Sequence, residues 1–249
     1  MFTANQVREI VGVIRLPFNA LFLYGSQARG DADEASDVDV LQVTPTHTAP
    51  YAVGRVNVTC YTFEQLLRLA RSGGLFARHL VEEALPLADP QGLLGALKSN
   101  YVGHLAYDGV RKEVCGCAPL LDVAESQFAE NAEGLSSVVV YLIRTYLYAT
   151  AFDRGSRSFA MGSVLELLGL CRARITLSDA RSQRNFVAFA AARGLFEELT
   201  GTACNRIEGS LEAFIVNASV QNELAVILGL RLLARGRPFT YDALLDVEF

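Results

Sequence analysis

A continuous apolar run, Ala20-Leu-Phe-Leu-Tyr24, leads directly into Gly25-Ser26, and a second apolar run opens shortly afterwards with Asp37-Val-Asp39-Val40. The first run is too short for a helix and reads as a buried strand. A glycine after a buried strand lets a ligand approach the backbone closely, and a serine there adds a hydroxyl and an N–H. Asp37 and Asp39 stand two apart at the start of an extended segment, so their carboxylates face the same side. Two such carboxylates repel and disturb each other's titration unless a cation sits between them. Mg2+ suits that place, because it takes one or two carboxylates together with substrate phosphates. An Asp-x-Asp strand beside a Gly-Ser turn therefore points to a site for metal-bound polyphosphate. Arg29 is placed to contact phosphate or to brace the loop. Taken alone, Asp-Val-Asp is compatible with a solvated strand end and Gly-Ser with a simple turn. The order and spacing together carry the inference.

The flanking sequence supplies the rest of a small α/β unit. Thr3-Ala-Asn-Gln6 is a capping box that opens a short helix with Val7, Ile10, Val11 and Ile14 on one face, and Pro17 ends it. Gly25 to Ser36 reads as a loop or short helix, Val38 to Val43 as a strand, and Pro45 to Pro50 as a connection. Arg55 to Tyr61 alternates and is β-branched, which predicts a third strand. Thr62-Phe-Glu-Gln65 is a second capping box, opening a helix that Gly73-Gly74 stops. A further helix spans Leu75 to Ala84, and Pro86 to Pro90 reads as a turn region. Beyond Gln91 the pattern is helical. Leu94, Leu97, Tyr101 and Leu105 keep helical spacing, and Leu135, Val138, Val139, Leu142, Ile143, Tyr146 and Leu147 fit one unbroken helix. More helices are predicted near Ser163–Leu170, Ser178–Ala192, Ile207–Ala218 and Gln221–Ala234. The expected architecture is α+β: a small α/β domain with a mixed sheet over residues 1–90, then an all-helical domain over 91–249 that binds an acceptor or a partner.

Composition excludes several classes. The net charge of −5 argues against a broad basic surface for duplex nucleic acid. The longest charge-free run, Val40 to Gly54, contains two prolines and falls short of the ~18 apolar residues of a membrane span. The N-terminus carries no basic-then-apolar signal, and the five Cys are irregularly spaced, so a cytoplasmic protein with free thiols is expected. Cys115-Gly-Cys117 has no second pair to complete a zinc site, and His47, His79 and His104 stand alone. Of the 22 cationic residues only Lys98 and Lys112 are lysine. Between Asp153 and Arg193, seven Arg face three acids, a local excess that matches either a phosphate or RNA contact or an ordinary solvated face.

The run Gly-Ser-x-Ala-Arg-Gly-x-Ala-x-x-x-Ser-Asp-x-Asp, 15 consecutive positions from Gly25 to Asp39, resembles the signature of the nucleotidyltransferase superfamily that includes DNA polymerase beta. It is most similar to the minimal nucleotidyltransferase type, the class of aminoglycoside nucleotidyltransferases and of antitoxins of toxin–antitoxin pairs. The likeness extends to about Asp89. It implies transfer of a nucleoside monophosphate from an NTP, with ATP as the first candidate, to an acceptor, with Mg2+ or Mn2+ as cofactor. It further implies that Gly25 and Ser26 hold the triphosphate together with Arg29 and Ser36, and that Asp37 and Asp39 are catalytic and bind two metal ions.

The resemblance also exposes a departure. The family usually carries a third carboxylate on the next strand, and here that position is Asn57, which has no charge and cannot act as a base. Neither Thr59 nor Arg55 repairs the deficit. Glu64 is the nearest carboxylate beyond the strand, in the first turn after the Thr62 cap. Three functions stay open: a transferase acting on a small molecule or a protein, a weakened nucleotide-binding regulator akin to an antitoxin, and a transferase acting on an RNA end. The negative net charge disfavours RNA, while Arg172 and Arg174 are the candidate acceptor contacts. The apolar helical half buries itself internally or against a protein partner or a second copy.

Overall fold

A computed structural model describes residues 10–33, 36–103, 106–205, 207 and 210–234. The Thr3 capping box and Val7 lie outside the described residues, as does Leu105. By contact the described residues divide into two compact units, one up to residue 103 and one from residue 106 onward.

The first unit is a five-stranded mixed sheet with helices on both faces. The strands are β1 (Ala20–Tyr24), β2 (Val38–Thr44), β3 (Tyr51–Val53), β4 (Val56–Thr62) and β5 (Leu85–Ala88), in the order β3-β4-β2-β1-β5. Only the β2–β4 pairing is parallel; the others are antiparallel. The three strands predicted from apolar runs form the centre of this sheet. Two strands at its edges escape the sequence pattern. Leu85–Ala88, expected as part of a turn region around Pro86, pairs with β1, with Pro86 opposite Phe22. A proline is tolerated there because an edge strand leaves one row of N–H groups unused. Tyr51–Val53 forms a hairpin with β4, turning at Gly54, whose φ of 59° suits glycine.

Strand alternation sorts the two faces. Leu21, Leu23, Val40, Val58 and Cys60 pack with Ile10, Ile14 and Tyr51 on one side, so the helical turn at residues 10–13 covers that face. This core contains a polar clasp. The Tyr51 hydroxyl donates to Gln42 Oε1 (2.7 Å) and accepts from Arg15 N (2.8 Å), while Gln42 Nε2 donates to Arg15 O (2.7 Å). Gln42 is fully buried, and each of these bonds answers a group that would otherwise be desolvated without a partner. The opposite face carries Tyr24 and Tyr61, with Phe76 packed against both rings at 5.7 and 5.5 Å. Phe76 belongs to α3 (Leu75–Glu83), which follows α2 (Phe63–Ser72); α1 is the five-residue helix Gly25–Arg29. The predicted Thr62 capping box is present, with Gln65 bonding back to the Thr62 N–H, and Gly73 ends the helix in the left-handed conformation. Helix α4 (Leu93–Asn100) packs on α2 and so falls within the first unit. It ends before Tyr101, which the spacing pattern had included.

The second unit is helical: α5 (Asp108–Gly116), a 3-10 turn (Ala118–Leu121), α6 (Glu125–Glu130), α7 (Ala132–Asp153), α8 (Met161–Leu168), α9 (Ala173–Gln183), α10 (Phe186–Thr200), α11 (Leu211–Ala218) and α12 (Glu223–Leu233). Helix α7 is its axis. Fifteen of its 22 residues are buried, and α5, α8, α9, α10 and α12 pack around it. By length and composition α7 could cross a membrane, but 72% of its apolar stretch is buried inside the protein, the pattern of a core helix. The helix expected over Ser178–Ala192 is instead two. Arg184 adopts φ 47°, and the Asn185 side chain caps α10 by accepting from Ala188 N at 2.8 Å. All five cysteines are free thiols.

Candidate functional site

The informative residues gather at one end of the central strands of the first unit. Strand β2 begins immediately after Asp37 and is half-buried at Val38 and Asp39 but buried from Val40 onward, so its polar end opens to solvent. Register then places three side chains in a row. Asp39 is opposite Tyr24 on β1 and opposite Asn57 on β4. Directly opposed residues project to the same face, so Tyr24, Asp39 and Asn57 share the face covered by α3. Asn57 Nδ2 approaches Asp39 Oδ1 at 3.5 Å, the long limit of a hydrogen bond.

Gly25 follows Tyr24 with φ 74°, and a Cβ at that position would stand 2.7 Å from Asp39 Oδ2. The glycine therefore does two things. It adopts a left-handed conformation that other residues adopt at a cost, and it leaves space for the Asp39 carboxylate to lie against the turn. The turn continues as α1, and Gly30 and Asp31 both donate backbone N–H groups to Ser26 O. Ser26 is half-buried at the start of this helix.

Arg29, the last residue of α1, is engaged with two carboxylates. Its Nη1 donates to Glu83 Oε2 at 2.7 Å and its Nε to Asp31 Oδ2 at 3.2 Å. Glu83 also bonds His79 Nε2 at 2.8 Å. The His79 ring stands edge-on to Tyr24, with centroids 5.4 Å apart, and the Tyr24 hydroxyl bonds Thr59 Oγ1 at 2.8 Å. Burial raises the Glu83 carboxyl, but the bonds from His79 and Arg29 outweigh it and hold the group below its ordinary value. Burial lowers the Arg29 guanidinium, and Glu83 and Asp31 together push it above its ordinary value. None of His79, Glu83 and Tyr24 was singled out from sequence as a site residue. The available signal was the spacing of His79 and Glu83, one helical turn apart on the same face.

Ser36 is engaged with its own loop. Its hydroxyl donates to Asp33 Oδ1 at 2.6 Å and accepts from Asp33 N at 2.9 Å, and its carbonyl accepts from Arg55 Nη2. This closes the turn that delivers the chain to Asp37. Glu64 is not brought to the site. It lies exposed in α2, beyond the end of β4 remote from Asn57, roughly 20 Å along at ~3.3 Å per residue. Arg172 and Arg174 are exposed in the helical unit, at the start of α9. Of the other arginines in that stretch, Arg184 pairs with Glu133 at 3.0 Å and Arg193 with Asp122 at 3.5 Å.

Among the described residues no group of three or more His, Cys, Asp or Glu is placed to hold a metal ion. Asn57 turns its amide nitrogen toward Asp39, so the residues that could hold one hard cation together with phosphate oxygens are Asp37 and Asp39. They leave a second ion short of compensating charge.

No curated protein matches the chain. Residues 6–72 match the family described as nucleotidyltransferase domain, a span that contains the Gly25–Asp39 turn and strand, Asn57 and helix α2. This match agrees with the resemblance of the Gly25–Asp39 run to the nucleotidyltransferase superfamily of the DNA polymerase beta type.

Proposed function

We propose that the protein is a Mg2+-dependent nucleotidyltransferase that moves a nucleoside monophosphate from an NTP, with ATP as the first candidate, to a small-molecule or protein acceptor. The observation that carries this is the Asp39 carboxylate lying against the Gly25 turn, in a space that any side chain at position 25 would fill. Gly25 admits the triphosphate to the backbone, and Ser26 offers it a hydroxyl and an N–H. Asp37 and Asp39 would hold the cation. When bound, Mg2+ neutralises triphosphate and pyrophosphate charge in the in-line displacement. The acceptor oxygen forms the new bond to the α-phosphorus, the bond to the β-phosphate oxygen breaks, and the acceptor's proton leaves to solvent or to a group of the acceptor. That last requirement follows from Asn57, an amide that cannot take a proton. Arg172 and Arg174 remain the proposed acceptor contacts.

The test is transfer of label from α-labelled NTPs with Mg2+ or Mn2+ and mixed acceptors, with Asp37→Asn in parallel. Transfer lost in the variant supports the enzyme. Asn57 also favours a second reading, a nucleotide-binding regulator of weakened activity. Undetectable transfer together with intact NTP binding would select it, and absence of NTP binding would overturn both.

A further inference from the structure

We propose that Glu83 is the positioning residue of the Gly25–Arg29 turn, holding Arg29 as a brace and not as a phosphate contact. The proposal rests on the nucleotide reading of that turn. Helix α3 grips the turn at both ends. At its start, Tyr24 packs edge-on against His79 and Phe76, both on α3. At its end, Arg29 reaches Glu83, the last residue of α3, at 2.7 Å.

The energetics favour keeping this pair closed. The Glu83 side chain is only 6% exposed and Arg29 19%. A carboxylate that far from water is stable only while its partners stay, so drawing Arg29 toward a phosphate would strand a buried charge. The guanidinium is also committed on two edges, Nη1 to Glu83 and Nε to Asp31. His79 shares the same Glu83 oxygen at 2.8 Å, which fixes the carboxylate where Arg29 meets it. The result is a turn whose glycine and serine are presented by a preset frame, with the entropy of ordering it already met before a ligand arrives.

The experiment uses the full chain with Mg2+ and each of the four NTPs in turn; the tightest binder is then the probe for Glu83→Gln, Arg29→Gln and the double variant. Each single change is expected to weaken binding roughly tenfold through misplacement of the turn. The double variant is expected to be no weaker than either single one, because both changes remove the same contact. If Arg29 is a phosphate ligand held off by Glu83, Glu83→Gln leaves binding unchanged or tightens it, and that overturns the proposal. Additive losses overturn it as well. Amide hydrogen exchange without nucleotide reads the brace directly. The Gly30 and Asp31 amides, bonded to Ser26 O, are expected to exchange faster in Glu83→Gln while the amides of α7 keep their rates. Equal exchange at Gly30 and Asp31 overturns the brace. Should the wild-type chain bind none of the four NTPs, the nucleotide reading fails, and the exchange result alone decides whether the brace stands.

Discussion

The sheet unit and the helical unit are both built on apolar cores, but they spend their polar residues differently. In the first, polar side chains stand where register demands them: Asp39 and Asn57 share one row across β2 and β4, and Gly25 is bare where the Asp39 carboxylate lies. In the second, the axis helix α7 is mostly buried, and exposed arginines gather on α9 and its two caps, at Arg172, Arg174, Arg181 and Arg184. A site needs side chains fixed relative to one another, and paired strands supply that more directly than an amphipathic surface does. The difference teaches where function is to be sought. Single changes at the polar end of β2 should remove activity with little effect on stability, and changes inside α7 should do the reverse.

That contrast can be broken at several points. Asp39→Asn is expected to lower label transfer at least about a hundredfold. Its melting temperature should stay within a few degrees of wild type, since Asp39 is half-buried at an open strand end. Leu142→Ala, at a fully buried position of α7, should cost about 3 kcal/mol in denaturant unfolding. At a temperature where that variant is folded, its NTP affinity should match wild type; a large loss of affinity there would break the division of labour. Two glycines sharpen the comparison further. Gly25→Ala and Gly201→Ala both place a side chain at positive φ, 74° and 66°, each costing about 1 kcal/mol of backbone strain. Only at position 25 does the new Cβ meet Asp39, so only that variant should also lose NTP binding in a titration.

The smallest effect concerns acid. The Glu83 carboxyl is held below its ordinary value, so its pairing stabilises the fold above the unfolded-state pKa and that contribution disappears as pH falls through the lowered folded value. Wild type should exceed Glu83→Gln by about 1 kcal/mol near neutrality. The gap should close below about pH 4. Unfolding curves at several pH values read it, and a gap that widens on acidification contradicts the assignment.

Much of the first unit was legible because its signals are local. A five-residue apolar run bounded by glycine, a β-branched alternation and a Thr62–Gln65 capping box each correspond to an observed element. The edge strands were not. Pro86 is a turn residue by local rules, and its strand exists only because β1 offers it a partner. The helix predicted across Ser178–Ala192 broke at Arg184 and Asn185, although Asn185 is itself a good cap. At the site, Gly25, Asp39 and Asn57 were named from sequence, and strand register brings them together. Glu83 escaped notice because its role depends on Arg29, 54 positions away. Glu64 was named because it is near in sequence to β4, yet it lies past the strand's other end.

The central claim is that the Gly25 turn and the Asp37–Asp39 strand together bind a metal-complexed NTP. Calorimetric titration of the full chain with each NTP, with Mg2+ and then with EDTA, tests it most directly. The account predicts one NTP bound per chain, dependent on the divalent ion, and weakened at least tenfold by Asp39→Asn. Binding that is indifferent to both the ion and Asp39, or no binding of any NTP, would contradict it.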